Sequence, residues 1–550
     1  MKRISLTLFG LLLILQVTSS QSETDKGLQA INKDVLKGQL DFLASDWMEG
    51  RNTAEKGAYM AADYIASMFR VYGLKPGGDM QWIRPSREER SEGKKSYEEQ
   101  TYFQNFPLIQ YTEGEEQSFS IIEKSKHGEK RFQLNYKTDY SLYVSSHGIE
   151  CTAPLVFVGY GLSDKENGYD DYKGLDVEGK IIVRLNGLPG YKDKTSEAYK
   201  KLIPKDRYAK WAIYDKKDDL AAEKGAIAII EITPGEDNSL NWAMNTPFHV
   251  RSENYQGPKQ NKPYVRLRAP GKNLGKNLTT IRLTSRAVNK LFEGFDFDLE
   301  DYEKKAARLI NQKNFSLNKS VHLKTTVESK IVKARNVIGV IEGENTDEYI
   351  VVGAHYDHLG IKNGFIYNGA DDNGSGTVGI MSIAKAVMAT GKKPEKTIIF
   401  AAWTGEEKGL IGSRHYCENP TVPLEQIKYY ANYDMISRNV KDTAGVKCFY
   451  SYTKSSEVLK TISDDNIKAH KLKLELNYRA MERPAGGSDH VSFAKKSIPV
   501  TCMITGLHNE YHTPKDVIGK VNYDKMLEIV KLGFLNIWQL SNDPELLKKN

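Results

Sequence analysis

The chain has 550 residues, 40% of them hydrophobic and 27% charged, with only 18 Pro and 4 Cys. These figures exclude low-complexity, collagen-like and cysteine-stapled classes, and the length exceeds one ordinary core, since domains run about 100 to 200 residues. The formal charge of +7 comes from acids and bases interleaved along the chain. With no basic stripe to follow a phosphate backbone, no nucleic-acid partner is expected.

In chain order, Lys2 and Arg3 precede the apolar run from Ile4 to Val17, and Thr18, Ser19 and Ser20 follow it. A charged start, a short apolar stretch and a small-residue exit are the marks of a secretory signal, too short to span a bilayer. Residues 1–20 are therefore expected to be removed, taking two positive charges from the total of +7. No cysteine stands at the exit to carry a lipid, and no later apolar stretch reaches membrane-spanning length. A soluble, secreted or periplasmic protein without stable membrane insertion is expected; its oligomeric state is left open. The widely spaced Cys151, Cys417, Cys448 and Cys502 form no CxxC pair and read mostly as buried thiols, their pairing open.

Val35, Leu36, Leu40 and Leu43 trace one helical stripe; Ala61, Tyr64, Ile65, Met68 and Tyr72 trace a second, stopped by Gly73. A turn at Glu49 to Thr53 lies between them, and Pro85 to Gln100 reads as a charged surface loop. From 143 to about 315 the texture is that of a compact α+β module. Strands are expected at Pro154 to Gly159, Lys180 to Leu185 and Ala226 to Ile232, with a helix at Asp215 to Lys224 and a Gly/Asp/Tyr-rich loop at Gly168 to Gly174. From about Val321, strands at Asn336 to Ile341, Tyr349 to Ala354, Thr397 to Ala402, Lys428 to Ala431 and Pro499 to Ile504 alternate with helices at Thr377 to Thr390 and Asn522 to Leu540. That alternation predicts an α/β fold: a mixed, mostly parallel sheet sandwiched by helices.

Ligands of such sheets gather at the carboxyl ends of the strands. There the chain sets His355-Tyr356-Asp357-His358, Gly369-Ala370-Asp371-Asp372-Asn373, Thr404-Gly405-Glu406-Glu407, Asn432-Tyr433-Asp434-Met435, and a loop with His508, Tyr511 and His512. Imidazoles and carboxylates converging from separate strand ends form a donor set that zinc accepts, and that many acids in one cleft need cations to offset them. Gly374, Gly376 and Gly379 spell GxGxxG, but Asp371 and Asp372 would repel a pyrophosphate. No GxSxG elbow or Walker A loop is present.

The ordered set GAHYDH, GADDNGSG, TGEE, NYDM and YHTPKD resembles the co-catalytic di-zinc exopeptidase family, which contains the leucyl-type aminopeptidases and the glutamate carboxypeptidases. LASDWMEGR and AADYIASMFRVYGLKP resemble its opening helices, and PLVFVGYGL with YDDYKGLDVEGKIIVRL resembles the protease-associated domain that some members insert. The resemblance implies a zinc exopeptidase fold. Its peptidase domain would comprise residues 24–142 and 321–550, interrupted by a protease-associated domain at 143–315. It implies two zinc ions per chain: His355 and Asp434 on one, Glu407 and His512 on the other, and Asp372 bridging, because the bridging carboxylate immediately precedes the Asn-Gly-Ser-Gly turn. Glu406 matches the general base, Asp357 the carboxylate that orients His355, and Tyr511 the tyrosine that steadies the oxyanion.

The implied activity is removal of N-terminal residues from peptide substrates by a hydroxide shared between the zincs. A glutamate carboxypeptidase-like activity is the alternative: Glu482 could receive an ammonium, whereas Arg479, Arg483 and Arg438 could receive carboxylates. A glutaminyl cyclase-like enzyme would hold one zinc, and a non-catalytic metal-binding module would have no idle base beside its ligands.

Overall fold

The computed structural model describes residues 22–547 apart from 127, 145–146, 205–206, 234–264, 272–277, 311, 313, 363 and 442–443. The expected signal at 1–20 lies outside the described residues. The two N-terminal stripes form helices α1 (Lys33–Leu43), capped by the Asn32 side chain, and α2 (Lys56–Tyr72), ended by Gly73 at φ 87°. Their apolar faces, Leu36, Leu40 and Leu43 on α1 and Ala61, Ile65 and Phe69 on α2, are fully buried.

The stretch expected to be a loop, Pro85 to Gln100, contains a short helix, Arg87–Ser91. It also holds a strand, β2 (Tyr97–Gln100), paired antiparallel with β1 (Met80–Ile83). Met80, Trp82 and Tyr97 remain exposed. A ribbon that buries neither face has no reason to alternate, and so leaves no period in the sequence.

A longer pair also went unforeseen. Strand β3 (Phe103–Ser125) runs antiparallel to β8 (Phe315–Ile341), from Phe103 opposite Val337 to Ile122 opposite Ser320, with a register shift between Thr325 and Val327. Between them in sequence come β4 (Ile149–Phe157), β5 (Ile181–Leu185), β6 (Ala228–Ile232) and β7 (Thr279–Leu283), each parallel to the next. The helix leading into β6 spans Arg207–Glu223, so it begins well before Asp215. Phe119, Ile121, Leu134 and Tyr140 join Leu155, Phe157, Ile181 and Ile230 in the core of this part.

The remaining strands are β9 (Asn345–His355), β10 (Lys396–Trp403), β11 (Ile427–Tyr433), β12 (Lys447–Thr453), β13 (Glu475–Met481) and β14 (Val500–Ile504). Their order, β13-β12-β14-β11-β9-β10-β8, continues through β8 into β4-β5-β6-β7, so one sheet runs through both parts. β9 is parallel to β10 and β11, and β11 is parallel to β14. β8 and β12 supply the antiparallel pairings with β10 and β14. Both faces are covered: Ile350, Val352 and Ala354 pack with α3 (Gly376–Ala389) and α4 (Tyr523–Asn542), while Val351, Ile399, Ala401 and Trp403 build a second layer opposite. The fold is thus a large mixed, mostly parallel sheet between helices. All four cysteines are free thiols, three of them buried. Among the described residues no helix is long and apolar enough to cross a membrane.

Candidate metal centre

β9 delivers His355 at its last position, with 1% of the residue exposed. Its Nδ1 lies 3.2 Å from the Asp357 carbonyl oxygen and 3.8 Å from the Asp357 carboxylate. The backbone carbonyl, rather than the expected carboxylate, is therefore the nearer partner. Either oxygen only accepts, so Nδ1 carries a proton and Nε2 is the nitrogen that faces the cleft. The Asp357 carboxylate accepts instead from Thr53 Oγ1 at 2.8 Å and from the Glu406 backbone N–H at 3.1 Å.

The turn before α3 supplies Asp372. Asn373 ties this turn to the end of β11: its side-chain amide donates to the Tyr433 carbonyl, and its Oδ1 accepts from the Met435 and Gly376 backbone N–H groups. Those bonds bring Asp434 beside Asp372. Asp371 is turned away, accepting from the Ser437 backbone and hydroxyl at 2.8 and 2.7 Å, with His508 Nε2 at 3.3 Å. Asp516 accepts from the backbone N–H groups of both Asp371 and Asp372 at 3.0 Å.

Six of the expected residues converge. His355 Nε2 stands 3.4 Å from Asp434 Oδ1, 3.6 Å from Asp372 Oδ1 and 3.9 Å from Glu406 Oε2. His512 Nε2 stands 3.0 Å from Asp372 Oδ2 and 3.2 Å from Glu407 Oε2. Tyr511 stacks on His512 and lines the same cavity of about 610 Å³, together with His355, Glu406, Asp434 and Arg479. Asp357 lies behind this surface.

Electrostatics follow from crowding acids out of water. Burial, reinforced by the Glu407 charge, pushes the Asp372 carboxyl up to about 7. Burial also drives Glu406 well above the usual carboxylate range, with Glu407 and Asp434 adding to it. For His512 burial acts downward, but Glu407 and Asp372 more than offset it and raise the imidazole to about 10. The residues fit a pair of divalent cations. His355, Asp372 and Asp434 form one group of converging nitrogen and oxygen donors, and His512, Asp372 and Glu407 form a second that shares Asp372, with His358 standing beside it. Asp434 Oδ1 has no hydrogen-bond donor among the described residues, as suits an oxygen reserved for an ion.

Sequence reasoning passed over several residues here. Arg51 is fully buried and donates to four backbone carbonyls, those of Tyr356, Leu43, Asn368 and Gly369, at 2.6 to 2.8 Å. It thereby ties α1 to both site loops. Burial lowers its guanidinium to about 10. Removing it strands four acceptors, so Arg51→Ala is expected to destabilise the fold by at least about 3 kcal/mol, read from the urea midpoint. Arg51→Lys is expected to rescue little, because an ammonium cannot reproduce the fork. Thr53, His358 and the fully buried Asp489 were likewise unmarked. The only sequence signal for His358 was its place in a stretch that resembled the family, and for Thr53 its place at the end of the expected turn.

The fold and the site together define a class: an α/β sheet whose parallel strands present two donor clusters sharing one carboxylate. Residues 336–534 match the profile of peptidase family M28. The chain is 30% identical over 234 residues to aminopeptidase Y of Saccharomyces cerevisiae, an alignment covering 40% of this chain and 41% of that protein. It is 31% identical over 232 residues to a glutamate carboxypeptidase 2 homolog of Caenorhabditis elegans, covering 38% of this chain and 28% of that protein. The alignments thus span well under half of each relative. Over the whole fold, the chain is similar to the aminopeptidase of Aneurinibacillus sp. strain AM-1, with a TM-score of 0.58, 18% identity and coverage of 96% of this chain and 98% of that one. The zinc aminopeptidase of Bacillus subtilis gives a TM-score of 0.55 at 18% identity, covering 94% and 96%.

Proposed function

We propose that the protein is an exported di-zinc exopeptidase that releases N-terminal residues from peptides. One observation carries this reading. The two oxygens of Asp372 address different clusters, Oδ1 facing His355 at 3.6 Å and Oδ2 facing His512 at 3.0 Å, as a bridging carboxylate must. His355 and Asp434 would hold one zinc, Glu407 and His512 the other. Bound there, the ions would polarise the scissile carbonyl and lower the pKa of a water towards about 7.

The chain's own groups do the rest. Glu406 is aimed into the cavity and belongs to neither donor group. Its raised affinity for a proton lets it take one from the attacking water and pass it to the leaving amine. The Tyr511 hydroxyl, its proton held firmly by burial and by the Asp372 charge, donates to the developing oxyanion. Residues 143–315 would act as a protease-associated domain that screens the cleft, favouring short peptides. The charged and apolar run of residues 1–20 supports export.

A second reading, a carboxypeptidase acting on C-terminal acidic residues, is favoured by the cavity wall. Arg479 is the one lysine or arginine among the described lining residues. Glu482 pairs instead with Lys454 at 2.6 Å, and Arg438 is held by Glu510 at 2.7 Å. Leu-, Lys- and Glu-nitroanilides tested beside a C-terminal glutamyl peptide, each with and without chelator, separate the two. Chelator-sensitive release of nitroaniline from the leucyl substrate is expected; cleavage of the glutamyl peptide alone would refute the aminopeptidase reading. Arg479→Ala sharpens the comparison. It is expected to leave the leucyl substrate unaffected, while a carboxylate-recognising enzyme would show a KM about 10- to 100-fold higher for the glutamyl peptide.

A further inference from the structure

His358 has no role in the ligand set proposed above, yet it lies at its centre. It is fully buried, and its backbone N–H donates to the Arg51 carbonyl. Gly369 presses on its ring so closely that a Cβ there would stand 2.5 Å from His358 Cγ. Its Nδ1 lies 2.8 Å from Glu407 Oε1 and 3.8 Å from Asp372 Oδ2, whereas Nε2 has no hydrogen-bond partner among the described residues. Glu407 is thus shared by two imidazoles through different oxygens: Oε1 meets His358, and Oε2 meets His512 at 3.2 Å.

We propose that His358 is a positioning residue that fixes Glu407 by donating from Nδ1 to Oε1, leaving Oε2 alone to hold the second ion; this rests on the di-zinc reading. An ionised carboxylate only accepts, so a 2.8 Å contact requires the proton on Nδ1. A nitrogen carrying that proton is not itself a ligand. A glutamate with both oxygens free could chelate the ion through both or turn away from it. With one oxygen tied, it makes a single directed bond and leaves a coordination position for water, the arrangement that separates catalytic from closed sites.

The test uses full-length protein, stripped and titrated with zinc by calorimetry, with metal content measured in parallel for wild type, His358→Ala, His358→Asn and His358→Gln. An asparagine amide can stand where Nδ1 stands and donate to Oε1; a glutamine amide reaches the Nε2 position instead. His358→Ala and His358→Gln are expected to bind the second ion about 10- to 100-fold more weakly and the first unchanged, with His358→Asn restored to within a few-fold of wild type. Wild-type affinity for both ions in the alanine and glutamine variants overturns the inference. So does an asparagine variant that binds as weakly as alanine, which makes His358 a ligand. If the alanine variant does not fold, the asparagine–glutamine contrast decides. A wild-type chain that takes up fewer than two ions overturns the di-zinc reading itself and is recognisable before any variant is compared.

Discussion

Glu406→Gln is expected to lower kcat on a leucyl substrate by about 10²- to 10⁴-fold while both ions stay bound. Glutamine keeps the size and polarity of the side chain but cannot accept a proton. Glu406 Oε2 lies 3.9 Å from His355 Nε2, farther out than Asp434 at 3.4 Å or Asp372 at 3.6 Å, and its backbone is anchored by Asp357. Metal affinity therefore has little to lose. Asp372→Ala is the opposite case: it removes the oxygens facing His355 and His512 together, and both ions are expected to be lost along with activity. Metal analysis of the purified variants beside steady-state kinetics separates them. Equal zinc loss in the two would sink the division of labour between base and bridge.

Much of this was legible in the sequence because the central strands are buried on both faces. Val351 and Val352 lie on opposite sides of β9 and both reach zero exposure, so the strand is an unbroken apolar run and the polar residues after it stand out. Strands that lack this property left little trace. Glu475–Met481, at the sheet edge, buries only Met481, and β8 mixes buried and exposed positions among lysines and serines until its buried end, Asn336 to Ile341, the one part of it expected as a strand. Within the site, Asp372 could be preferred over Asp371 only through a family resemblance. The bonds from Asp371 to Ser437 supply the physical reason, and they join residues 66 apart. Thr53 and Asp357 are separated by 304 positions, and Arg51 reaches Gly369 across 318. No local pattern encodes such pairs, so Thr53 and Arg51 stayed hidden while the residues expected as ligands did not.

Exhaustive chelation is expected to abolish hydrolysis and to lower Tm by on the order of 10 °C. An ion present at about 1,000 times its Kd, bound by the folded chain alone, contributes about 4 kcal/mol, and two such ions act on one sheet. The loss has a pH signature. Without metal, the acids around His512 raise its pKa from 6.5 to about 10, so the folded chain holds a proton there that the unfolded chain has released. That stabilisation is complete below the unfolded value and disappears as pH rises towards 10. His355, also raised well above its ordinary value, acts in the same direction. With zinc bound, both imidazoles are neutral donors, and this source of pH dependence vanishes. The gap in Tm between loaded and stripped protein is therefore expected to widen from pH 7 to pH 9.5. Calorimetric melts across that range check it, and a gap that stays constant or narrows would show that the two imidazoles do not sit among ionised acids in the metal-free fold.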